Sequence, residues 1–153
     1  MSILLKNATI VDGKSNLNFK TKDILINDGN IVDIADTINT KASQTIKLEN
    51  LHVSRGWMDT SVCFGEPGFE ERETISNGLE TAASSGFTSI LLNPNCDPAI
   101  DNHSSVEFLK RKSAETTTEI YPIGSLTNNS KGEELASLYL SLIHISEPTR
   151  PLY

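Results

Sequence analysis

Ile75-Ser76-Asn77-Gly78-Leu79-Glu80-Thr81-Ala82-Ala83-Ser84-Ser85-Gly86 runs directly into Phe87-Thr88-Ser89-Ile90-Leu91-Leu92-Asn93-Pro94-Asn95, and this stretch decides the fold. Ile75, Leu79, Ala82 and Ala83 recur at helical spacing, and Gly86 stands where a helix C-terminus takes a left-handed residue. Phe87 to Leu92 is a short apolar run closed by Asn-Pro-Asn, the pattern of a buried strand. A helix delivered straight into a buried strand is the repeating step of parallel α/β architecture.

The same rhythm continues outward. Upstream, His52 to Cys63 reads as an extended segment, apolar through Trp57 and Met58. Downstream, Ser104-x-x-Glu107 reads as a capping box opening a helix to about Ala114. Thr118 to Leu126 follows as a third strand, and Ser130-x-x-Glu133 is a second capping box leading into Leu135, Leu138 and Tyr139.

Before residue 52 the texture is strands and turns. Ile24-Leu25-Ile26-Asn27, Asp28-Gly29 and Asn30-Ile31-Val32-Asp33-Ile34 form a hairpin signal, because Asp-Gly accepts the positive φ angles of a two-residue turn. Ile3–Val11 and Thr45–Leu48 read as further strands. The expected fold is therefore α/β, with a small N-terminal β-sandwich-type domain at 1–52. The first three β/α units of a truncated TIM-like barrel follow at 53–139.

Composition narrows the function classes. Thirteen Lys and Arg against 20 Asp and Glu give a net charge of −7, which opposes a nucleic-acid-coating surface. With 37% hydrophobic residues and no long apolar run, the chain reads as globular and without a membrane span. The N-terminus lacks the pattern of a signal peptide, and only Cys63 and Cys96 are present, so a cytoplasmic, reducing location is expected.

In parallel α/β folds the chemistry gathers in loops after the strands. Two such loops stand out, Asp59–Gly68 and Asn93–Pro98. Here the sequence resembles the dihydroorotases, cyclic-amide hydrolases of the amidohydrolase superfamily. Gly56-Trp57-Met58-Asp59, Glu66-Pro67-Gly68-Phe69-Glu70, Glu73-Thr74-Ile75, Gly86-Phe87-Thr88 and Asn93-Pro94-Asn95 carry the likeness. Tyr121–Thr127 and Lys131–Ala136 extend it. The resemblance implies a zinc-dependent interconversion of carbamoyl aspartate and dihydroorotate in pyrimidine biosynthesis. It also implies a His-x-His metal pair at the end of the first barrel strand.

At the positions matching those histidines stand Ser61 and Cys63, and the position matching the substrate-carboxylate arginine is Gly65. A hydroxyl is a poor zinc ligand, and one thiol falls short of the about three protein ligands of a catalytic site. Asn95 matches a family residue that helps hold the substrate carboxylate, so it is the one expected substrate-binding residue. No catalytic or metal residue and no cofactor is expected for this chain. The resemblance offers two readings. In one, the chain is an inactive piece of a dihydroorotase-like enzyme. In the other, it comes from a non-catalytic homologue that partners aspartate transcarbamoylase or a catalytic dihydroorotase. A third reading, a rearranged metal site, rests on Cys63.

Each residue also has a structural reading. Cys63 is expected as a small buried apolar residue, with Cys96 on the next loop able to approach it. Asp59 is expected to hydrogen-bond inside the barrel, and Glu66 to shape its loop. Asn95 divides between turn geometry and ligand binding. His52 is expected in a core or interface, and His103 exposed at a helix start. Glu70-Glu71-Glu73 is expected as a solvated helix N-terminus.

Leu140–Arg150 breaks the pattern. It resembles the in-frame translation of a transposase-type sequencing adaptor and is read as an assembly artefact, residues 140–153 forming a tail. The alternative is a real helix extension stopping at Pro148. If the adaptor reading holds, an open sheet edge is left and the polypeptide is expected to fold poorly or aggregate.

Overall fold

The computed structural model of the chain describes residues 1–137; the tail at 140–153 lies outside the described residues. Two compact units divide it, the first Met1–Arg55 and the second beginning at Gly56.

The first unit is organised around β1 (Ser2–Val11), which pairs antiparallel with β2 (Thr21–Asn27). β2 turns through Asp28 and Gly29 into β3 (Asn30–Ala35), and both turn residues hold positive φ, 47° and 80°. That is the backbone a two-residue hairpin turn needs to follow the strand twist. On its other edge β1 pairs parallel first with β4 (Gln44–Lys47) and then with β5 (His52–Ser54). A bulge between Leu5 and Ala8, with Asn7 at φ 54°, separates those two partners.

The described strands of this unit form one five-stranded sheet, so the expected sandwich of two facing sheets is corrected to a single layer. Ala8, Ile10 and Ile24 are buried, with Leu5, Leu17, Ile26, Leu51 and Val53 packed around them. Beneath the bulge Asp23 is 1% exposed and fully engaged. Its carboxylate accepts from Lys6 Nζ at 2.6 Å, from the Asn7 N–H at 3.0 Å and from the Ile38 N–H at 2.9 Å. Burial would raise its pKa, but the Lys6 ammonium and the two amides hold it down at about 2.

The expected extended segment 52–63 is two strands in two sheets. β5 completes the first sheet, and β6 (Trp57–Val62) begins the second. β6, β7 (Phe87–Leu92) and β8 (Glu119–Pro122) form a parallel sheet in the order β6-β7-β8. β8 is shorter than the expected Thr118–Leu126. It ends at Pro122, with one last ladder bond from the Ile123 N–H to the Leu92 carbonyl at 2.8 Å, while Thr118 is buried with its hydroxyl donating to the Phe87 carbonyl at 2.6 Å.

α1 (Ile75–Ser84) and α2 (His103–Ser113) pack on this sheet. Ile75 and Leu79 of α1, Val106 and Leu109 of α2, and Ile90, Leu92 and Ile120 of the strands make one core with Ile100. The register explains the face: Ile90 pairs with Ile120 and Leu92 with Pro122, all buried, whereas Glu119 and Tyr121 are exposed. α1 ends as expected, with Gly86 at φ 90° just past the cap.

α2 begins two residues before the expected capping box. Asn102, not Ser104, is the N-cap, its Oδ1 accepting from the Ser105 N–H at 3.1 Å. Asparagine in extended backbone satisfies the orphan amide, which leaves Ser104 inside the first turn. Asn102→Ala should therefore cost about 1 kcal/mol in urea unfolding, while Ser104→Ala stays within about 0.5 kcal/mol. Equal losses at the two positions would contradict this cap.

The second expected capping box is also corrected. Asn128–Ser130 is a 3-10 turn with Asn129 and Ser130 at positive φ, and Leu135 bridges back to Thr127. The Ser130 hydroxyl is spent on Ser125 Oγ at 2.9 Å, so it caps nothing. Leu138 and Tyr139 lie outside the described residues.

Candidate functional site

Chemistry at the C-terminal ends of β6 and β7 depends on what those strand ends present. The pairing slips between Asp59 and Val62, and this bulge sets the side-chain directions. Val62 packs against the helix-covered core. Asp59 shares a cavity with Gly78, Ala82, Phe87 and Ile90, on the α1 side rather than inside a barrel. Its Oδ1 accepts the Ser61 N–H at 3.0 Å, a local turn contact. Ser61 and Cys63 are exposed. Asn93 Nδ2 donates to Ser61 Oγ at 3.2 Å. Cys63 is corrected from the buried apolar residue expected of it, because it lies past the strand end and donates its thiol to loop carbonyls: Phe64 O at 3.4 Å and Asn95 O at 4.0 Å.

The loop after β6 is built on glycine. Gly65 is buried, donates to the Glu73 carbonyl at 2.9 Å and accepts from the Phe69 N–H at 2.9 Å. A Cβ on it would lie 1.8 Å from the Phe69 carbonyl oxygen and 3.2 Å from Arg72 Cβ. The position matching the family's arginine thus has no room for any side chain. Gly68, at φ 98°, approaches Asp97 so closely that a Cβ would lie 2.1 Å from its carbonyl oxygen. The Asp97 N–H donates to the Pro67 carbonyl at 2.9 Å, strapping the two loops together.

Glu66 does loop work, as expected, and more. Its Oε2 accepts the Ile75 N–H at 2.8 Å, satisfying the first amide of α1, and its Oε1 faces Lys112 of α2 at 3.4 Å. The expected solvated helix start at Glu70-Glu71-Glu73 is corrected: the first turn of α1 contains no acidic residue. Glu70 accepts the Gly68 N–H at 2.9 Å, which holds its carboxyl below the ordinary range. Glu73 accepts from the Thr74 N–H and from Asn77 Nδ2.

On the second loop Asn95 is exposed and its backbone carbonyl faces the Cys63 thiol. Cys96 is half-buried against the core and donates to Pro98 O at 3.3 Å. His52 is exposed on β5, its Nδ1 bonded to the Asn50 carbonyl at 2.6 Å, so the core placement is corrected. His103 is exposed at the start of α2, as expected.

The donor set decides whether zinc fits. At the two positions where the family resemblance puts imidazoles stand a hydroxyl already accepting from Asn93 and a single thiol. Asp59 is on the α1 side, and Cys96 is turned to loop carbonyls. Among the described residues no group of three or more His, Cys, Asp or Glu could hold a metal ion. These residues do not fit a catalytic zinc, which needs about three nitrogen, sulfur or carboxylate ligands. What the strand ends offer is a thiol, a hydroxyl and two amides, able to hydrogen-bond a polar group but not to generate hydroxide.

Sequence reasoning missed Asn93 as the partner of Ser61 and Glu66 as the link to both helices. The Gly65-Glu66-Pro67-Gly68 run was the available signal, since glycines around a proline mark a tight turn.

Residues 51–143 match the family model described as Dihydro-orotase-like. A dihydroorotase of Pelotomaculum thermopropionicum is 38% identical over 138 residues, covering 90% of this chain and 32% of that protein. A dihydroorotase of Acetivibrio thermocellus is 35% identical over 155 residues, covering 98% of this chain and 36% of that protein. The chain thus spans about a third of the length of the curated relatives it matches. Among solved structures, an L-hydantoinase (dihydropyrimidinase) from Arthrobacter aurescens aligns with TM-score 0.71 at 21% identity, over 95% of this chain and 30% of that one. A crystal structure of a dihydroorotase aligns with TM-score 0.62 at 19% identity, over 95% of this chain and 39% of that one. At such identities the structural likeness speaks to the fold. Among the described residues no helix is long and apolar enough to cross a membrane.

Proposed function

Because the chain belongs to the dihydroorotase-like family, we propose that it forms part of a non-catalytic homologue of the cyclic amidohydrolases. Met1–Arg55, whose sheet includes β5, is the small β domain, and the residues from Gly56 supply the opening β/α units of a TIM-like barrel. The observation that carries this reading is the strand end of β6, where Ser61 and Cys63 stand at the metal positions and Gly65 is walled in by the Phe69 carbonyl. An arginine clamp for a carboxylate needs a long side chain with room to extend. Neither the metal positions nor the clamp position of the family reaction is supplied here.

Asn95 keeps an exposed place beside Cys63, so a vestigial carboxylate contact is its proposed role. The work left to such a protein is structural. By family resemblance its proposed partner is aspartate transcarbamoylase or a catalytic dihydroorotase. The test is to purify the protein, assay carbamoyl aspartate and dihydroorotate interconversion, and probe for co-purifying transcarbamoylase activity. No turnover together with bound transcarbamoylase is expected. Turnover by the purified protein would overturn the reading.

A further inference from the structure

Cys63 opens the loop that follows β6, Cys96 lies within the loop that follows β7, and the family reaction uses neither thiol. Val62 and Leu92 are partners across the sheet, and the Asn93 N–H donates to the Val62 carbonyl at 2.8 Å. The second loop then folds back: the Cys96 N–H donates to the Pro94 carbonyl at 2.9 Å, and the Asp97 N–H to Pro67 of the first loop at 2.9 Å. This return brings the Asn95 carbonyl to 4.0 Å from the Cys63 sulfur, one residue ahead of Cys96.

The two thiols differ in access. Cys63 is exposed, whereas Cys96 is half-buried and packed against the core. Burial pushes the Cys96 thiol above its ordinary range, against a smaller opposing pull from the Ile100 amide, and negative charge on Cys63 adds to the push.

We propose that Cys63 and Cys96 form a dithiol that closes to an intramolecular disulfide, locking the loop after β6 to the loop after β7. The oxidant is a small disulfide such as oxidised glutathione. The Cys63 thiolate attacks one of its sulfurs, forming a mixed disulfide and releasing one glutathione thiolate. The Cys96 thiol then loses its proton and attacks the Cys63 sulfur, releasing the second glutathione. Two protein thiols are oxidised, one disulfide is reduced, and the two protons lost by Cys63 and Cys96 pass through solvent to the two glutathione thiolates. Closure requires the exposed Cys63 to rotate away from the Asn95 carbonyl and the half-buried Cys96 to leave the Pro94 and Pro98 carbonyls.

The experiment treats the purified chain with oxidised glutathione, quenches with N-ethylmaleimide and follows intact mass with peptide mapping. The expected product is a Cys63–Cys96 disulfide forming at least about tenfold faster in native buffer than in concentrated urea, because the fold holds the thiols together. Cys96→Ser should stop at glutathione on Cys63, and Cys63→Ser should slow all modification. Closure no faster than in urea overturns the proposal. So does a stable mixed disulfide in the wild-type chain, or linkage only between chains.

Discussion

Gly65→Arg, the change that restores the family's arginine, is expected to cost about 3 kcal/mol or more of stability and to create no anion site. Overpacking a core side chain is partly relieved by repacking, but here the added Cβ meets a main-chain carbonyl 1.8 Å away. That carbonyl belongs to Phe69, whose N–H is bonded back to the Gly65 carbonyl at 2.9 Å, so the two residues cannot separate without opening the turn. Opening the turn also strains the Gly65 N–H bond to Glu73, and with it the start of α1. The decisive control is Gly65→Ala. The clash begins at Cβ, so alanine should suffer most of the arginine loss in urea unfolding. A silent alanine variant would show that the loop yields easily, and the position would then be open to a ligand-binding side chain.

Asp23→Ala is the second large effect, an expected loss of about 3–5 kcal/mol, because it strips the charge partner from a buried pair and orphans two amides. Lys6, Asn7 and Ile38 all converge on this carboxylate, tying β1, β2 and the segment before β4. The pH dependence has a fixed sign. The folded pKa of about 2 lies below the ordinary carboxylate value of ~3.9, so the stabilisation is complete above about pH 5. It drains away as pH falls through 4 toward 2, because the unfolded chain's carboxylate takes up its proton first, and it is gone once the native carboxylate is protonated as well. The stability gap between wild type and Asp23→Asn should accordingly narrow over that window. A gap that is flat from pH 7 to 2 would mean that Asp23 is not charged in the folded state.

Much of the fold is local and therefore legible from the sequence. Asp28-Gly29 specifies its hairpin because both residues must take positive φ, and Gly86 ends α1 for the same reason. What periodicity misses is long-range competition. His52 to Cys63 reads as one extended run, yet β1 recruits its first part while β7 recruits its last. Ser104 and Ser130 both satisfy the capping pattern, but Asn102 takes the helix start and Ser125 takes the Ser130 hydroxyl. A capping box is a statement about amides in need, and at residue 130 no helix follows among the described residues.

The candidate site divides in the same way. Ser61, Cys63, Gly65 and Asn95 are named by their match to family positions; the structure brings Cys63 to the Asn95 carbonyl and Ser61 to Asn93, while Gly65 packs within its own loop against Phe69. The reason Gly65 is glycine was not legible, because the Phe69 carbonyl reaches it only through the closed turn. The exposure of Cys63 was equally hidden. It follows from a strand that ends at Val62, one residue earlier than the apolar pattern suggests.

The β6 strand end lacks the ligands for a catalytic zinc site, and zinc retention tests this most directly. The protein is equilibrated with excess zinc, dialysed against a weak competing chelator and analysed for metal. Wild type is predicted to retain only substoichiometric zinc and to leave dihydroorotate unchanged. Stoichiometric zinc that is lost in Ser61→Ala or Cys63→Ala, together with dihydroorotate turnover, would contradict the account.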